Sequence, residues 1–434
     1  MVRRLKDTDA DFDASFRALL ELKRETSPEV DAVVSGIIAD VAARGDAAVA
    51  DYTRRFDRTE LGPSDFAIGK PEIDAAVRSV PEKELEALGL AAERIEAFHE
   101  RQLPSDTSWT DDKGVRLGWR WTPVDAAGLY VPGGMASYPS SLLMNAIPAR
   151  VAGVQRLALC VPTPDGAINP LVLAAAHLAG VSEVYRIGGA QAIAALALGT
   201  GTIAPVDVIV GPGNAYVAAA KRQVFGRVGI DSIAGPSEIL VIADSENDPH
   251  WIALDLLSQA EHDASAQSIL ITDSDEFAAA VEDAVAALLE RLDRRSIARE
   301  SWDRAGAIVT VGRLDDAARL ANLIAPEHLE LCVADPHDLA EQIKHAGAIF
   351  LGRWTPEAIG DYVGGPNHVL PTARSARHAS GLSVLAFMKR TTMLECSPDA
   401  LAAIGHAAET LAKAEGLEAH GLSVRARLKS ANRT

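Results

Sequence analysis

Apolar residues recur at helical spacing through the first hundred positions. Phe12, Phe16, Leu19, Leu20 and Leu22 form one stripe, and Ile37, Ile38, Val41 and Val49 form another. A period near 3.6 predicts amphipathic helices buried along one face. Ser27 before Pro28 reads as an N-cap and first-turn proline. Glu84 to Arg101 repeats the stripe with Leu85, Leu88, Ile95 and Phe98, and Trp109 to Val124 is richer in strand formers.

From Ala126 the texture changes to short apolar runs alternating with helical stretches. Leu129–Val131, Leu157–Val161, Val184–Ile187 and Val206–Val210 read as strands, with helices over 170–178 and 192–198. The order recurs with strand 238–243, helix 249–261 capped by Asp248, strand 268–272 and helix 275–292. It continues through strands 308–311, 329–333 and 348–351, with helices over 315–323 and 336–346. Such βα alternation predicts mainly parallel sheets with helices on both faces. The repeated order reads as a duplicated α/β unit. A loop-rich stretch over 354–381 precedes a helical end over 398–427 that turns basic. The predicted class is α/β: two Rossmann-like parallel-sheet domains without a G-x-G-x-x-G, plus small helical segments at both ends.

Charge and cysteine content narrow the function. Lys plus Arg is 42 and Asp plus Glu is 60, a formal net charge of −18 over 434 residues. Surfaces that coat nucleic acid or anionic membrane need a basic excess, so neither partner is expected. Cys160, Cys332 and Cys396 are odd in number and include no C-x-x-C, which excludes a disulfide framework or a cysteine-based zinc module. No signal-peptide or membrane-span pattern is present, so the expected location is the cytoplasm.

Four polar clusters are candidates for chemistry. Gln259 and His262 stand at i and i+3 near the end of a predicted helix, so they share a face. They read either as a metal-binding pair or as a solvated helix end. Glu327–His328 is an adjacent carboxylate and imidazole, suited to acid–base work or merely polar loop. Neighbours in an extended segment point to opposite faces, so the pair would reach one substrate only if the backbone bends. Asp361 and His368 lie in a glycine-rich loop, and Glu415 and His420 close a helical segment where Gly421 would otherwise serve as a cap. Gly133–Gly134, Gly188–Gly189 and Gly211–Pro212–Gly213 each follow a strand, where glycine lets backbone approach a phosphate.

Taken together, the segments resemble the histidinol dehydrogenase family from about residue 25 to the C-terminus. The motifs are LYVPGG at 129–134, IGGAQA at 187–192, IVGPGN at 209–214 and IAGPSEILV at 233–241. They continue with LLSQAEHD at 256–263, APEHLEL at 325–331, GDYVGGPNHVLPT at 360–372 and EGLEAHG at 415–421. The resemblance implies oxidation of L-histidinol to L-histidine with two NAD⁺ in succession, and one zinc ion per subunit. It implies zinc ligands Gln259, His262, Asp361 and His420, and the acid–base pair Glu327 and His328. Implied substrate contacts are Ser237, Gln259, His262, His328, Asp361, His368, Glu415 and His420, and implied NAD contacts are Tyr130, Gln191 and Asn214. It also implies a domain-swapped homodimer in which Glu415 and His420 reach the site from the other chain. The expected division is a helical arm over 1–25, a first α/β domain from 26–128 and 236–380, a second over 129–235, and a C-terminal piece over 381–434.

Two other functions fit part of the pattern. One is a related dehydrogenase of another polyol, such as a sulfonated diol. The other is a zinc hydrolase with Glu327 as base, which the glycine turns after parallel strands disfavour.

Overall fold

Two all-parallel sheets carry the first compact unit, built from residues up to Gln102 and from Asp125 to Phe387. The structure is a computed structural model and describes residues 2–22, 28–133, 138–233 and 235–431. The six-stranded sheet runs, in spatial order, Arg3–Lys6, Ala307–Thr310, Gln267–Thr272, Glu238–Ala243, His328–Cys332 and Ala348–Leu351. The five-stranded sheet runs Glu183–Tyr185, Arg156–Cys160, Ala126–Tyr130, Val208–Val210 and Gly229–Ile230. All neighbours pair in parallel. Numbered from Glu238–Ala243 and from Ala126–Tyr130, both sheets contain the order 3-2-1-4-5, that of a Rossmann half extended past its switch point, and the larger adds Arg3–Lys6 outside strand 3. The shared order supports the duplication that the repeated pattern suggested.

The strands are continuous apolar runs because helices cover both faces. EILVIA over Glu238–Ala243 is buried throughout. Ile239, Val241 and Ala243 face one core with Leu256, Val281 and Trp302, while Leu240 and Ile242 face the other with Phe16, Leu320 and Leu329. The helix Pro249–Ala260 is capped by Asp248 as expected, its side chain accepting the N–H of His250.

Leu103–Val124, expected in the first α/β domain, falls in the second compact unit described below, and two further segments differ from the expected division. Arg3–Lys6 is an edge strand on Ala307–Thr310, not part of a helical arm, although Phe12–Leu20 is helical. Residues 28–68 belong with the five-stranded sheet. Val34, Ile37 and Val41 pack on Ile193, Leu196 and Val217, and the N–H of Ile68 donates to the Val184 carbonyl at 2.8 Å. An apolar stripe marks which face is buried but not which sheet covers it. The Ser27 cap and Gly134 lie outside the described residues.

Leu103–Val124 and the chain from Met388 onward form a second compact unit. Its antiparallel sheet runs Met388–Glu395, Arg116–Pro123, Thr107–Thr110. The strand Met388–Glu395 stands in a segment expected to be helical. Its sequence MKRTTMLE is rich in exposed polar residues, so it lacks the alternation that marks a half-buried strand. Helices Pro398–Ala414 and Glu418–Ala431 pack on each other where Gly405 meets Val424 and Leu428. No helix among the described residues is long and apolar enough to cross a membrane.

Candidate active site

Glu327 and His328 open the fourth strand of the six-stranded sheet, beside the first residue of its first strand, Glu238. Helix Leu314–Ile324 ends with Ala325 in the left-handed region at φ 50°, and Pro326 prevents its continuation. The N–H of Gly347 and of Ala348 then donate to the carbonyls of Pro326 and Glu327, both at 2.9 Å. This bend brings the two neighbouring side chains to one place despite their extended setting. One Glu327 carboxyl oxygen accepts the N–H of Glu238 at 2.9 Å, and His328 Nδ1 lies 2.9 Å from the Glu238 carbonyl oxygen. A carbonyl only accepts, so Nδ1 carries the proton and Nε2 holds the lone pair. Nε2 has no hydrogen-bond partner and lies 3.9 Å from Asp361 Oδ1. Burial pushes Glu327 up to about 8.

This constellation lies at the amino ends of the strands. The usual ligand crevice of such a sheet is at the carboxyl ends, between the first and fourth strands. There Asn247 Nδ2 donates to the Cys332 carbonyl at 2.6 Å, as does the N–H of Asp244 at 3.3 Å, and the Arg353–Asp244 pair at 2.7 Å stands beside them. The protein's own polar groups thus hydrogen-bond to one another at that end.

Asp361 lies on the short helix Glu357–Tyr362, and the loop after it carries His368. His368 donates from Nδ1 to the Asp361 carbonyl at 2.9 Å and accepts from Ser141 Oγ at Nε2, 3.2 Å away. Burial holds His368 below the usual histidine range, which suits an imidazole that accepts at one nitrogen. Ser141 and Asn367, which donates to the Met144 carbonyl at 2.6 Å, bind this loop to the helix Pro139–Val151.

Gln259 is fully buried, and its Oε1 has no hydrogen-bond partner. His262 stands just past the helix end with Nδ1 3.4 Å from Gln259 Nε2. Sharing of one face by this pair is as the spacing predicts. Asp361 and His328 are close enough to act on the charge of His262. A buried amide oxygen without a partner, an exposed imidazole and a carboxylate fit a divalent cation. His328, Glu357 and Asp361 also offer ligand atoms within 4.8 Å of one another. Ser237 is half-buried, and its carbonyl accepts the N–H of Gln267 at 3.0 Å. Glu415 and His420 are exposed in the second unit, at the end of one helix and the start of the next.

Tyr130 ends one strand of the five-stranded sheet, and Gln191 and Asn214 follow two others, all at the carboxyl ends. The Tyr130 hydroxyl accepts the N–H of Gly189 at 3.1 Å, and burial raises its pKa. Gln191 is buried with Oε1 unpartnered. Asn214 caps helix Ala215–Val224 through Oδ1, which accepts from Tyr216 and Val217, so its amide N–H groups remain to donate. The glycines here first serve packing. A Cβ on Gly188 would come within 2.3 Å of Pro162 Cβ, so the strand-end loops could not close on one another. The sequence reading missed Glu238, Ser141 and Glu357. Only Glu357 leaves a local signal, a carboxylate one helical turn before Asp361. Cys160 and Cys332 are free and buried, and burial pushes both thiols up, away from nucleophilic thiolate.

The histidinol dehydrogenase family model matches residues 20–428. A histidinol dehydrogenase of Ruegeria pomeroyi is 69% identical over 428 residues, 99% of either chain. That of Rhodospirillum rubrum is 65% identical over 429 residues, again 99% of each. The crystal structure of histidinol dehydrogenase from Elizabethkingia anophelis superposes with a TM-score of 0.94 at 36% identity, covering 99% of both chains.

Proposed function

The chain belongs to the histidinol dehydrogenase family, and we propose that it oxidises L-histidinol to L-histidine through the aldehyde, closing histidine biosynthesis. The observation that carries the reading is the His328 imidazole. Its Nδ1–H is committed to the Glu238 carbonyl and its Nε2 lone pair is free. That is a base with a defined tautomer, which proton transfer from a hydroxyl requires.

In this reading His328 Nε2 takes the proton of the substrate hydroxyl as hydride leaves the same carbon. Glu327 then takes a proton from water as the water oxygen adds to the aldehyde, and His328 returns its proton to the aldehyde oxygen, which gives the hydrate and frees Nε2 again. His328 takes the hydroxyl proton of the hydrate as the second hydride leaves, giving the carboxyl group. NAD⁺ bound along Tyr130, Gln191 and Asn214 supplies the hydride acceptor for each oxidation. Zinc held by Gln259, His262, Asp361 and His420 supplies an anchor for the imidazole and amine of histidinol. Ser237, His368 and Glu415 complete the substrate site beside those ligands. Glu415 and His420 of the partner subunit fill these positions in a domain-swapped homodimer. The buried free thiols suit a reducing cytoplasm.

The test is the NADH yield per histidinol with zinc present. Two NADH and one histidine are expected. No turnover on histidinol, with turnover on another polyol, would move the reading to a related dehydrogenase. No NAD⁺ binding by calorimetry would return it to hydrolysis.

A further inference from the structure

Two carboxyl groups of one short helix flank the His328 imidazole. Glu357 and Asp361 stand one turn apart on Glu357–Tyr362, on the same face. Glu357 Oε1 lies 3.4 Å from Nδ1, and Asp361 Oδ1 lies 3.9 Å from Nε2. Asp361 already has a part in the proposed zinc set, whereas Glu357 has none.

Glu357 is fixed from several sides. Its backbone N–H donates to Glu330 Oε1 at 2.7 Å, and Ser258 Oγ stands 3.4 Å from its Oε2. A Cβ on Gly360 would fall 2.5 Å from Phe350 Cε1, so the glycine lets the short helix lie against that ring. Phe350 in turn stands 6.2 Å, centroid to centroid, from the imidazole. Glu357 is 3% exposed, and its Oε1 has no hydrogen-bond partner. Buried polar atoms of this kind call for an explanation, and the nearest one is the Nδ1–H of His328.

We propose that Glu357 is a positioning residue for His328. The Glu238 carbonyl alone sets which ring nitrogen is protonated. A second carboxyl oxygen on a different element, 3.4 Å from the same nitrogen and outside hydrogen-bond geometry, attracts that N–H across the gap and limits the remaining rotation of the ring. Nε2 is then held toward the substrate. The role rests on His328 acting as the base in the reaction proposed above. It differs from a cation site formed by His328, Glu357 and Asp361, in which Nδ1 or Nε2 would be bound to metal and unable to take a proton.

The experiment compares Glu357→Leu, which keeps volume and removes the acceptor, with Glu357→Gln, which keeps both. The Leu variant should lose about 10- to 100-fold in kcat for both oxidations, the usual cost of removing an outer-shell partner. Its KM for histidinol should stay within about twofold and its zinc content unchanged, since uniform substrate binding is not touched. The Gln variant should recover most of the rate. The ¹⁵N spectrum of histidine-labelled, substrate-free protein adds a readout independent of turnover. The His328 ring signals, assigned by their loss in His328→Gln, should broaden in the Leu variant and stay sharp in the Gln variant. Unchanged kcat in Glu357→Leu, equal losses in both variants, or loss of zinc with a raised KM would each overturn the proposal. Failure of the parent enzyme to oxidise histidinol would instead overturn the reaction, while the nitrogen spectrum would still decide the ring-holding role.

Discussion

One carboxyl oxygen of Glu327 accepts the backbone N–H of Glu238 at 2.9 Å, which ties that half of the group to the sheet. A base for water needs the ionised form, and burial has pushed this carboxyl up to about 8. Below that pH the group is mostly protonated and idle; above it the carboxylate is available. The kcat/KM for the aldehyde should therefore rise with pH through about 8. Glu327→Gln should slow aldehyde oxidation about 10²- to 10⁴-fold, remove that limb, and spare alcohol oxidation. Half-reaction kinetics with histidinol and with the aldehyde measure both. Equal loss in the two steps would count against the water-activating role.

Lys221 and Asp231 form a buried ion pair beneath the Gly211–Asn214 turn, with side chains 2% and 3% exposed. Lys221 Nζ donates to the Gly211 carbonyl at 2.9 Å, and Asp231 accepts the Gly211 N–H at 2.8 Å. Lys221→Met leaves a buried carboxylate unpaired and should cost about 3–5 kcal/mol by urea unfolding. Adding Asp231→Leu should restore much of the loss. A single-variant cost below about 1 kcal/mol would mean that water reaches Asp231.

Ser141 joins two parts of the site through His368 Nε2 at 3.2 Å. Ser141→Ala should destabilise the protein by about 0.5–1.5 kcal/mol, one net hydrogen bond. KM for histidinol should rise as the Asp361–His368 loop loosens. Unfolding and steady-state kinetics on the same preparation separate the two effects.

His262→Asn should lower zinc content in step with activity, since it removes an imidazole ligand while the buried Gln259 stays in place. Metal analysis after dialysis measures it, with far-ultraviolet circular dichroism checking the fold. Full zinc retention would exclude His262 from the ligand set.

If the dimer is domain-swapped, inactive His328→Gln chains mixed with inactive His420→Ala chains should regain activity. A hybrid dimer carries both lesions in one site and leaves the other intact, so about a quarter of the sites are restored at random mixing. No recovery after verified subunit exchange would place both residues in one chain's site.

Much of the fold was legible before any coordinates. The run EILVIA reads as a strand because both of its faces are apolar, and Asp248 before Pro249 reads as a helix start because cap and proline chemistry are local. Arg3–Lys6 and Met388–Glu395 escaped notice because they are short or polar edge strands, whose pairing comes from the neighbour and not from their own pattern. His99 is a core histidine bonded to the Ile95 carbonyl at 2.7 Å.

By itself the amino-acid sequence determined the alternation of strands and helices, the acidic and cysteine-poor character, and the residue types able to hold a cation and move a proton. These follow from periodicity, turn chemistry and side-chain chemistry, all local properties. Only the tertiary structure decided that Glu238 stands beside His328, 90 positions away, and that Ser141 meets His368 across 227. Those neighbours arise from the 3-2-1-4-5 strand order and from the packing of helix Pro139–Val151 on the loop after Asp361. The same order puts the chemistry at the amino ends of one sheet, where the neighbouring strands begin at Glu238 and His328. Which strand lies beside which is settled by burying many apolar faces at once, and no local stretch of sequence carries that information.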